Sequence, residues 1–247
     1  MLFCAEITDY KIVYNVLRSI TMKDFAILRP MEEGLKVTLD EMKCVETSAY
    51  IPCNMFSFYH IDNNENIMCK INLKTLVEIL NIFGDEGNPN LKLTYKSIGS
   101  PLCLVMSHEG HITVDCEIRT MNVDNYNDIS LADECDLNKM VINANIFAEI
   151  LYRLDNSADE VKLTLSPDPP IFHFNNYRHR ITIFQCEKAV TSNYSFSNIR
   201  QILKVMHYAN KVAISTGASG LLGLQLVINL EDRQMYVEYY VASQCAA

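Results

Sequence analysis

The chain has 247 residues, 49% of them hydrophobic, with a formal net charge of −9 at pH 7 and nine cysteines. The cysteine count is odd and no CxxC pair occurs, which argues against a disulfide framework and favours buried thiols in a reducing compartment. No window approaches the roughly 18 apolar residues of a membrane span, and the start lacks the pattern of a signal peptide, so a soluble intracellular protein with no membrane partner is expected.

The first half of the chain is predicted to be an α+β unit. Residues 2–7 alternate as a short strand, and Asp9 is placed to cap a helix that ends near Ile20. Asn72 opens a second helix, expected to end at Phe83-Gly84, where glycine suits a left-handed cap. Alternating apolar residues predict strands at 25–28, 35–39, 45–51, 56–61, 67–71, 91–95, 102–106 and 112–118.

Residues 119–134 are predicted to connect two domains, 1–118 and 135–247. Asn, Asp and Ser predominate in this segment, and no hydrophobic period runs through it. The second half then repeats the order of the first, with a helix over 143–154 and a last helix opened by Asn198. Its strands are predicted at 137–142, 161–165, 171–174, 181–183, 212–214, 222–228 and 235–239.

The two halves share their helical patterns. One buried stripe, at Ile12, Val13, Val16, Leu17 and Ile20, recurs 134 residues later at Ile146, Phe147, Ile150, Leu151 and Leu154. A second stripe, at Leu73, Leu76, Val77 and Leu80, recurs at an offset of 126 as Ile199, Ile202, Leu203 and Met206. The fold class is therefore predicted to be α+β, with two topologically similar domains, each carrying two helices packed on antiparallel sheets.

The outward faces of the helices are predicted to be basic at three of the four elements, although the whole chain is acidic. The first helix turns Lys11, Tyr14, Asn15 and Arg18 outward; the second has Lys74 beside its stripe; the last has Arg200, Gln201, Lys204, His207 and Tyr208. The third helix is the exception, because its outward face is not basic. It carries Asn145, Ala148, Glu149 and Tyr152, with Arg153 to the side. A shared basic surface suits contact with DNA phosphates, although any single one of these cations can serve solvation alone.

Four stretches carry a resemblance to a known family: Gly34–Val45, Ile71–Leu76 with Ile82-Phe-Gly84, Ser166–Phe172 and Gly223–Tyr240. Over essentially its whole length the chain resembles the Rad-one subunits of the nine-one-one DNA-damage checkpoint clamp, relatives of proliferating cell nuclear antigen. The linker lacks the hydrophobic-Gly-Ile-Pro pattern of that replicative relative.

The resemblance implies a sliding-clamp fold and a nuclear protein that is not an enzyme and needs no cofactor or metal. The chain would supply one third of a heterotrimeric ring around double-stranded DNA and would bind two other clamp subunits, a clamp loader, and checkpoint and repair proteins. The helices would line the channel, which makes Lys11, Arg18, Lys74, Arg200 and Lys204 the DNA-facing candidates. The exposed edge strands, expected at 111–118 and 178–186, place Ile112, Val114, Ile181 and Ile183 at subunit interfaces.

The linker is a candidate partner site. Its apolar residues are Met121, Val123, Tyr126, Ile129 and Leu131. In clamp relatives this loop and the adjacent sheet form a peptide pocket, for which Met121, Val123, Tyr126 and Ile129 are the candidates here. Plain anchoring of the loop explains the same residues equally well.

Two other classes of protein stay open. Asp115 and Glu117 lie on one face of a strand and could hold a divalent metal, as in a 3′–5′ DNA exonuclease, although no further carboxylates mark a nuclease site. A peptide-binding scaffold that never encircles DNA is the other alternative. Cys103, His108, His111 and Cys116 flank one hairpin as a possible zinc set, but the alternation already explains the cysteines as core residues. No GxSxG or phosphate-binding glycine loop occurs.

Overall fold

The chain folds as two compact units. In a computed structural model, unit 1 comprises Met1–Leu39 and Ser48–Asn127, and unit 2 comprises Asp40–Thr47 and Asp128–Ala247. The structure describes residues 1–41, 44–62, 66–84, 89–108, 112–123, 126, 128–131, 134, 137–168, 172–174, 183–186 and 188–244.

The described residues of unit 1 form two α-helices among antiparallel strands. Its elements, counting the hairpin whose tip falls in Asp40–Thr47, are β1 (Phe3–Ile7), α1 (Lys11–Ile20), β2 (Phe25–Met31), β3 (Gly34–Glu41), β4 (Val45–Pro52), a 3₁₀ turn (Cys53–Met55), β5 (Phe58–Ile61), β6 (Cys69–Asn72), α2 (Leu73–Leu80), β7 (Asn90–Tyr95), β8 (Leu102–His108) and β9 (Ile112–Ile118). One sheet has the strand order β5-β1-β7-β8-β9, and a second group of strands has the order β4-β3-β2-β6.

The core of unit 1 lies where both groups of strands meet the two helices. Phe3 of β1, Leu17 of α1, Leu28 of β2, Leu76 of α2 and Leu102 of β8 are buried around one small apolar cavity. Both helices are amphipathic because their apolar side chains recur every three or four residues.

Unit 2 repeats this plan. Its elements are β10 (Asn138–Asn143), α3 (Ala144–Arg153), β11 (Glu160–Leu165), β12 (Phe172–Phe174), β13 (Ile183–Gln185), β14 (Val190–Ser195), α4 (Phe196–Arg200), α5 (Leu203–Met206), β15 (Lys211–Thr216), β16 (Leu222–Leu230) and β17 (Arg233–Val241). Its strand orders, β13-β10-β15-β16-β17 and β12-β11-β14, match β5-β1-β7-β8-β9 and β3-β2-β6 of unit 1 strand for strand. The predicted α+β duplication is therefore confirmed, while the place for a counterpart of β4, between β12 and β13, lies outside the described residues.

The repeat extends to hydrogen bonds at the second helix of each unit. Phe25 pairs with Asn72 where β2 meets β6, and Glu160 pairs with Ser195 where β11 meets β14. The next residue along, Leu73 or Phe196, begins the helix in each case.

The second helix of unit 1 begins at Leu73 and that of unit 2 at Phe196, so the two helices correspond at an offset of 123 residues. The predicted offset of 126 is wrong by three residues, which is about one helical turn. The last helix also begins at Phe196 rather than at Asn198, and it is broken between α4 and α5. Around the break the backbone makes hydrogen bonds between residues three apart, such as the Val205 N–H to the Ile202 carbonyl at 3.0 Å. This tighter winding changes which positions of the segment face the core.

Three predictions for the first unit need correction. Helix α1 begins at Lys11 with Tyr10 as its N-cap, so Asp9 lies one residue before the cap, from where its carboxylate accepts the Lys11 N–H at 3.4 Å. Tyr14 is buried rather than outward, because α1 packs a wider stripe against the core than the spacing predicts. Helix α2 does open after Asn72, whose side chain accepts the Thr75 N–H at 2.9 Å, but it ends at Leu80.

None of the helices in the described part of the chain has both the length and the apolar character that crossing a membrane requires.

Candidate nucleic-acid interface

Helix α1 exposes two cations on one face. Lys11 and Arg18 are seven residues apart, so they lie two turns from each other on the same side of the helix. The opposite side buries Val13, Leu17 and Ile20 in the core of unit 1. Arg18 also lies in the last turn, where a positive charge is favoured by the helix dipole.

Helix α2 has a cation that is already paired. Lys74 is exposed, but its ammonium lies 2.5 Å from the carboxylate of Asp24. The hydrogen bond with Asp24 raises the pKa of Lys74, which keeps the side chain charged and paired. Since Glu78 is the other exposed ionisable residue of this helix, α2 has little net positive charge to offer.

Helix α3 has the same buried face as α1 but a different exposed one. At an offset of 134, the positions of Lys11 and Arg18 are occupied by Asn145 and Tyr152, which are both exposed. Arg153 is also exposed, yet its guanidinium lies 3.7 Å from the Glu149 carboxylate one turn earlier. The exposed face of α3 is therefore close to neutral.

Helices α4 and α5 add cations in unit 2. Lys204 and His207 are exposed, whereas Arg200 is half-buried, with its guanidinium 5.4 Å from the centre of the Phe196 ring. Such a cation–π contact holds the stem of Arg200 while its charge remains accessible. Lys204 is therefore the exposed cation within these two helices.

The helices lie side by side within each unit. In unit 1, α1 packs on α2, and the buried Tyr10 hydroxyl donates to the Leu80 carbonyl at 3.0 Å. In unit 2, α3 packs on α5, and the Ala144 N–H donates to the Asn210 carbonyl at 3.2 Å. Of the predicted DNA-facing residues, Lys11, Arg18, Lys74 and Lys204 are exposed and Arg200 is half-buried.

The predicted interface strands lie at sheet edges. In unit 1, β9 pairs with β8 and with no other described strand of that unit, and Ile112 is 52% exposed while Val114 is half-buried. In unit 2, Ile183 belongs to the outermost described strand, β13, and pairs with Val141 of β10. Ile181 lies outside the described residues.

The carboxylate pair proposed for a nuclease does sit on one face. Asp115 and Glu117 are exposed on β9, opposite Val105 and Cys103 of β8. Cys116 pairs with Leu104 and so faces the other side from Cys103, while His111 lies outside the described residues. No group of three His, Cys, Asp or Glu side chains suited to a metal ion occurs in the part of the chain that the structure describes.

The linker contacts each unit at defined points. In unit 1, Met121 exchanges two backbone hydrogen bonds with Lys70 of the edge strand β6, at 2.8 and 2.9 Å. In unit 2, the Ile129 N–H donates to the buried Glu46 carboxylate at 3.0 Å. Farther on, the Ser219 hydroxyl and N–H both donate to the Glu134 carboxylate.

A cavity of about 220 Å³ lies beneath the second part of the linker in unit 2. Ser130 and Leu131 form its linker wall, and its floor consists mainly of sheet residues: Leu137, Lys139, Ala213, Ser215, Gly223, Leu224, Gln225, Glu238 and Tyr240. The predicted pocket residues Met121, Val123, Tyr126 and Ile129 are not among the lining residues. The alternation of β15 to β17 is the sequence signal for this floor, because every second residue of a strand shares one face of the sheet.

Comparisons with known proteins give one consistent result. A family model described as "Repair protein Rad1/Rec1/Rad17" matches residues 2–228. The mouse protein named "Cell cycle checkpoint protein RAD1" is 29% identical, over 96% of this chain and 90% of its own length. The fruit-fly "DNA repair protein Rad1" is 25% identical over 97% and 93%, and the fission-yeast "DNA damage checkpoint control protein rad1" is 20% identical over 92% and 81%.

Proposed function

Since the chain belongs to the Rad1/Rec1/Rad17 family of repair proteins, which has the sliding-clamp fold, we propose that it is one non-enzymatic subunit of a heterotrimeric ring around double-stranded DNA. Checkpoint control after DNA damage is the role of the family. In this proposal the chain works in the nucleus, needs no cofactor and is placed on DNA by a clamp loader.

The observation that carries the proposal is the charge of the helical layers. The protein has a net charge of −9, yet α1 exposes Lys11 and Arg18 and α5 exposes Lys204. DNA phosphates respond to the charge of the nearby protein surface and not to the net charge of the chain. Cations on the helices therefore suit contacts with the DNA backbone that do not depend on the base sequence. Lys74 and Arg200 are secondary contacts, because the former is paired with Asp24 and the latter is half-buried.

The repeated fold supports ring formation through sheet edges. In unit 2, Ala242, directly after β17, donates its N–H to the Cys44 carbonyl at 2.9 Å, so β17 has a neighbour from Asp40–Thr47. Its counterpart β9 has no such neighbour among the described residues of unit 1. Because an unpaired edge is a template for another strand, Ile112 and Val114 pair with one partner subunit.

The complementary edge is placed at residues 178–186, which include β13, the outermost described strand of unit 2. Ile181 and Ile183 pair with the second partner subunit. The chain then has two different interfaces, as a ring of three distinct subunits requires. Its domains are 1–118 and 135–247, joined by 119–134, consistent with the end of β9 at Ile118 and the start of β10 at Asn138.

Checkpoint and repair proteins bind the outer surface. Met121 is anchored by two backbone hydrogen bonds to Lys70, and the Ile129 N–H donates to the Glu46 carboxylate. Met121, Val123, Tyr126 and Ile129 are the proposed contacts for a partner peptide. Met121 is 41% exposed, which leaves apolar surface for such a partner.

The test is a charge reversal in the assembled ring. Lys11→Glu, Arg18→Glu and Lys204→Glu are combined, the ring is reconstituted with its two partner subunits, and its retention on circular DNA is measured against salt. Removing one phosphate contact should flatten the slope of log affinity against log salt by about 0.9. Lys96→Glu, in the turn after β7, is the matched control and should leave retention unchanged.

The competing scaffold function gives the opposite result. A protein that only binds peptides would assemble normally, and the three reversals would change neither its association with DNA nor its salt dependence. Equal retention of the triple variant and the Lys96→Glu control would end the clamp proposal.

A further inference from the structure

The two units present different side chains at one equivalent position, and we propose that Tyr152 in unit 2 stacks on unpaired bases of single-stranded DNA. The correspondence rests on packing at an offset of 134. The buried residues Val13, Val16, Leu17 and Ile20 of α1 match Phe147, Ile150 and Leu151 of α3 and its C-cap Leu154, which are also buried. By the same offset Tyr152 occupies the position of Arg18. This inference rests on the proposed clamp function and adds single-stranded DNA to the ligands that the clamp would contact.

Tyr152 is an open aromatic side chain. It is 57% exposed, and no hydrogen bond or ring contact joins it to another residue in the described part of the chain. Its helical neighbours, Glu149 and Arg153, are paired with each other at 3.7 Å. More than half of the side-chain surface is therefore available to a planar ligand.

The charges around Tyr152 favour nucleic acid as that ligand. The exposed face of α3 has little net charge, so it cannot bind phosphates strongly by itself. In unit 2, α3 packs on α5, and the two short helices α4 and α5 carry Arg200 and Lys204. An aromatic platform beside a basic surface is the combination that single-stranded DNA binding uses, since bases stack while phosphates meet the cations.

Single-stranded DNA fits this arrangement better than duplex DNA does. In a duplex the bases are already stacked on each other, and a surface helix meets mainly phosphates. Arg18 suits that contact in unit 1, whereas Tyr152 has no charge to offer a phosphate. A flexible single strand can turn a base onto the ring, so unit 2 gives the clamp a preference for gapped or tailed DNA.

The absence of tryptophan from the chain makes a direct test possible. Tyr152→Trp introduces the sole tryptophan, whose fluorescence is quenched when a base stacks on it. The full-length variant is titrated with an oligothymidylate of about 20 nucleotides, longer than the roughly 4–16 nucleotides that one stacking groove covers, and with a duplex of equal length. Arg18→Trp, at the equivalent position of unit 1, is the matched control.

We expect saturable quenching of Tyr152→Trp by the single strand, and weaker quenching by the duplex. Arg18→Trp should show no such preference. Equal quenching by the two DNA forms, or none by the single strand, overturns the inference.

The assembled ring provides a second readout that separates this inference from the clamp function. Tyr152→Ala should weaken retention on gapped circular DNA about tenfold and leave retention on closed duplex circles unchanged, while Tyr152→Phe behaves as the unmodified ring. If Tyr152→Ala has no effect on gapped DNA while the Lys11, Arg18 and Lys204 reversals still weaken retention, the clamp function stands and this site fails. If Tyr152→Ala instead abolishes binding of a protein partner with DNA retention intact, Tyr152 is a protein contact and the inference is also overturned.

Discussion

Asp24 makes two contacts at the start of α2, one of them with the ammonium of Lys74 at 2.5 Å. Its backbone carbonyl also accepts the Leu73 N–H at 2.7 Å. In unit 2 the Asp159 carbonyl accepts the Phe196 N–H at 2.9 Å, but Ser197 stands where Lys74 would be. The backbone bond is thus common to both units, and the ion pair belongs to unit 1.

Asp24→Asn should strengthen DNA binding by the assembled ring. The substitution keeps the backbone carbonyl and removes the negative charge, so the protonated Lys74 becomes free to meet a phosphate. The salt slope of retention should become steeper by up to about 0.9. Asp159→Asn removes the same charge from unit 2 without freeing a lysine, so an equal effect of both variants would show that Lys74 is not involved.

Tyr10→Phe should destabilise unit 1. The buried Tyr10 hydroxyl donates to the Leu80 carbonyl at 3.0 Å and so ties the start of α1 to the end of α2. Its loss leaves that carbonyl buried without this partner, at a cost of about 1 kcal/mol in the free energy of unfolding. Urea unfolding measures the loss, and Tyr14→Phe, buried on the same helix, is the control that should change stability less.

The sequence predicts the duplicated fold well because the fold follows from side-chain periodicity. Val13, Leu17 and Ile20 repeat at Phe147, Leu151 and Leu154, and all six residues are buried. A single apolar stripe fixes which face of a helix packs inward, and alternation fixes the strands. Similar strand patterns in both halves therefore produce similar sheets.

The details of the candidate site depend on contacts that no local pattern contains. The spacing of apolar residues places Tyr14 on the outward face of its helix, but Tyr14 is buried. The sequence also offers Lys74 as a phosphate contact, but its ammonium is paired with Asp24, which lies outside α2. The cavity beneath the linker combines Leu131 with residues more than 80 positions away, such as Gly223. Such pairings arise only when distant segments are brought together by the tertiary fold.

Gly223→Ala should disturb the docking of the linker on unit 2. A Cβ at position 223 would lie 2.8 Å from Leu131 Cδ1 and 3.2 Å from Tyr240 Cε1, closer than ordinary contact allows. Because the Leu131 side chain can turn aside, we expect a loss at the low end of the range for overpacked sites, about 1 kcal/mol in urea unfolding. In the double variant with Leu131→Ala the clash disappears, so the combined loss should be smaller than the sum of the two single losses; full additivity would mean that the residues do not interact.

The buried Cys69 thiol should resist alkylation in the folded protein. Burial raises its pKa to about 12, whereas Cys44 and Cys53 are exposed. Iodoacetamide at about pH 8 should therefore label Cys44 and Cys53 first and reach Cys69 only after unfolding, as mass spectrometry of peptides would show. Because the folded state favours the neutral thiol, Cys69 contributes stability that is present below the ordinary thiol pKa of about 8.5 and is lost as pH rises towards 12.

Asp115→Ala combined with Glu117→Ala tests the nuclease alternative. The two carboxylates share an exposed face of β9 with Val105 and Cys103 opposite, and a two-metal nuclease needs further carboxylates at the same point. The variant ring should therefore assemble and stay on DNA as the unmodified ring does, and its preparation should show the same background of 3′–5′ degradation on a labelled oligonucleotide. Mg²⁺-dependent degradation that disappears in the double variant, with assembly intact, would assign catalysis to this pair. Thr113→Ala, on the same face of the same strand, controls for a general disturbance of the edge.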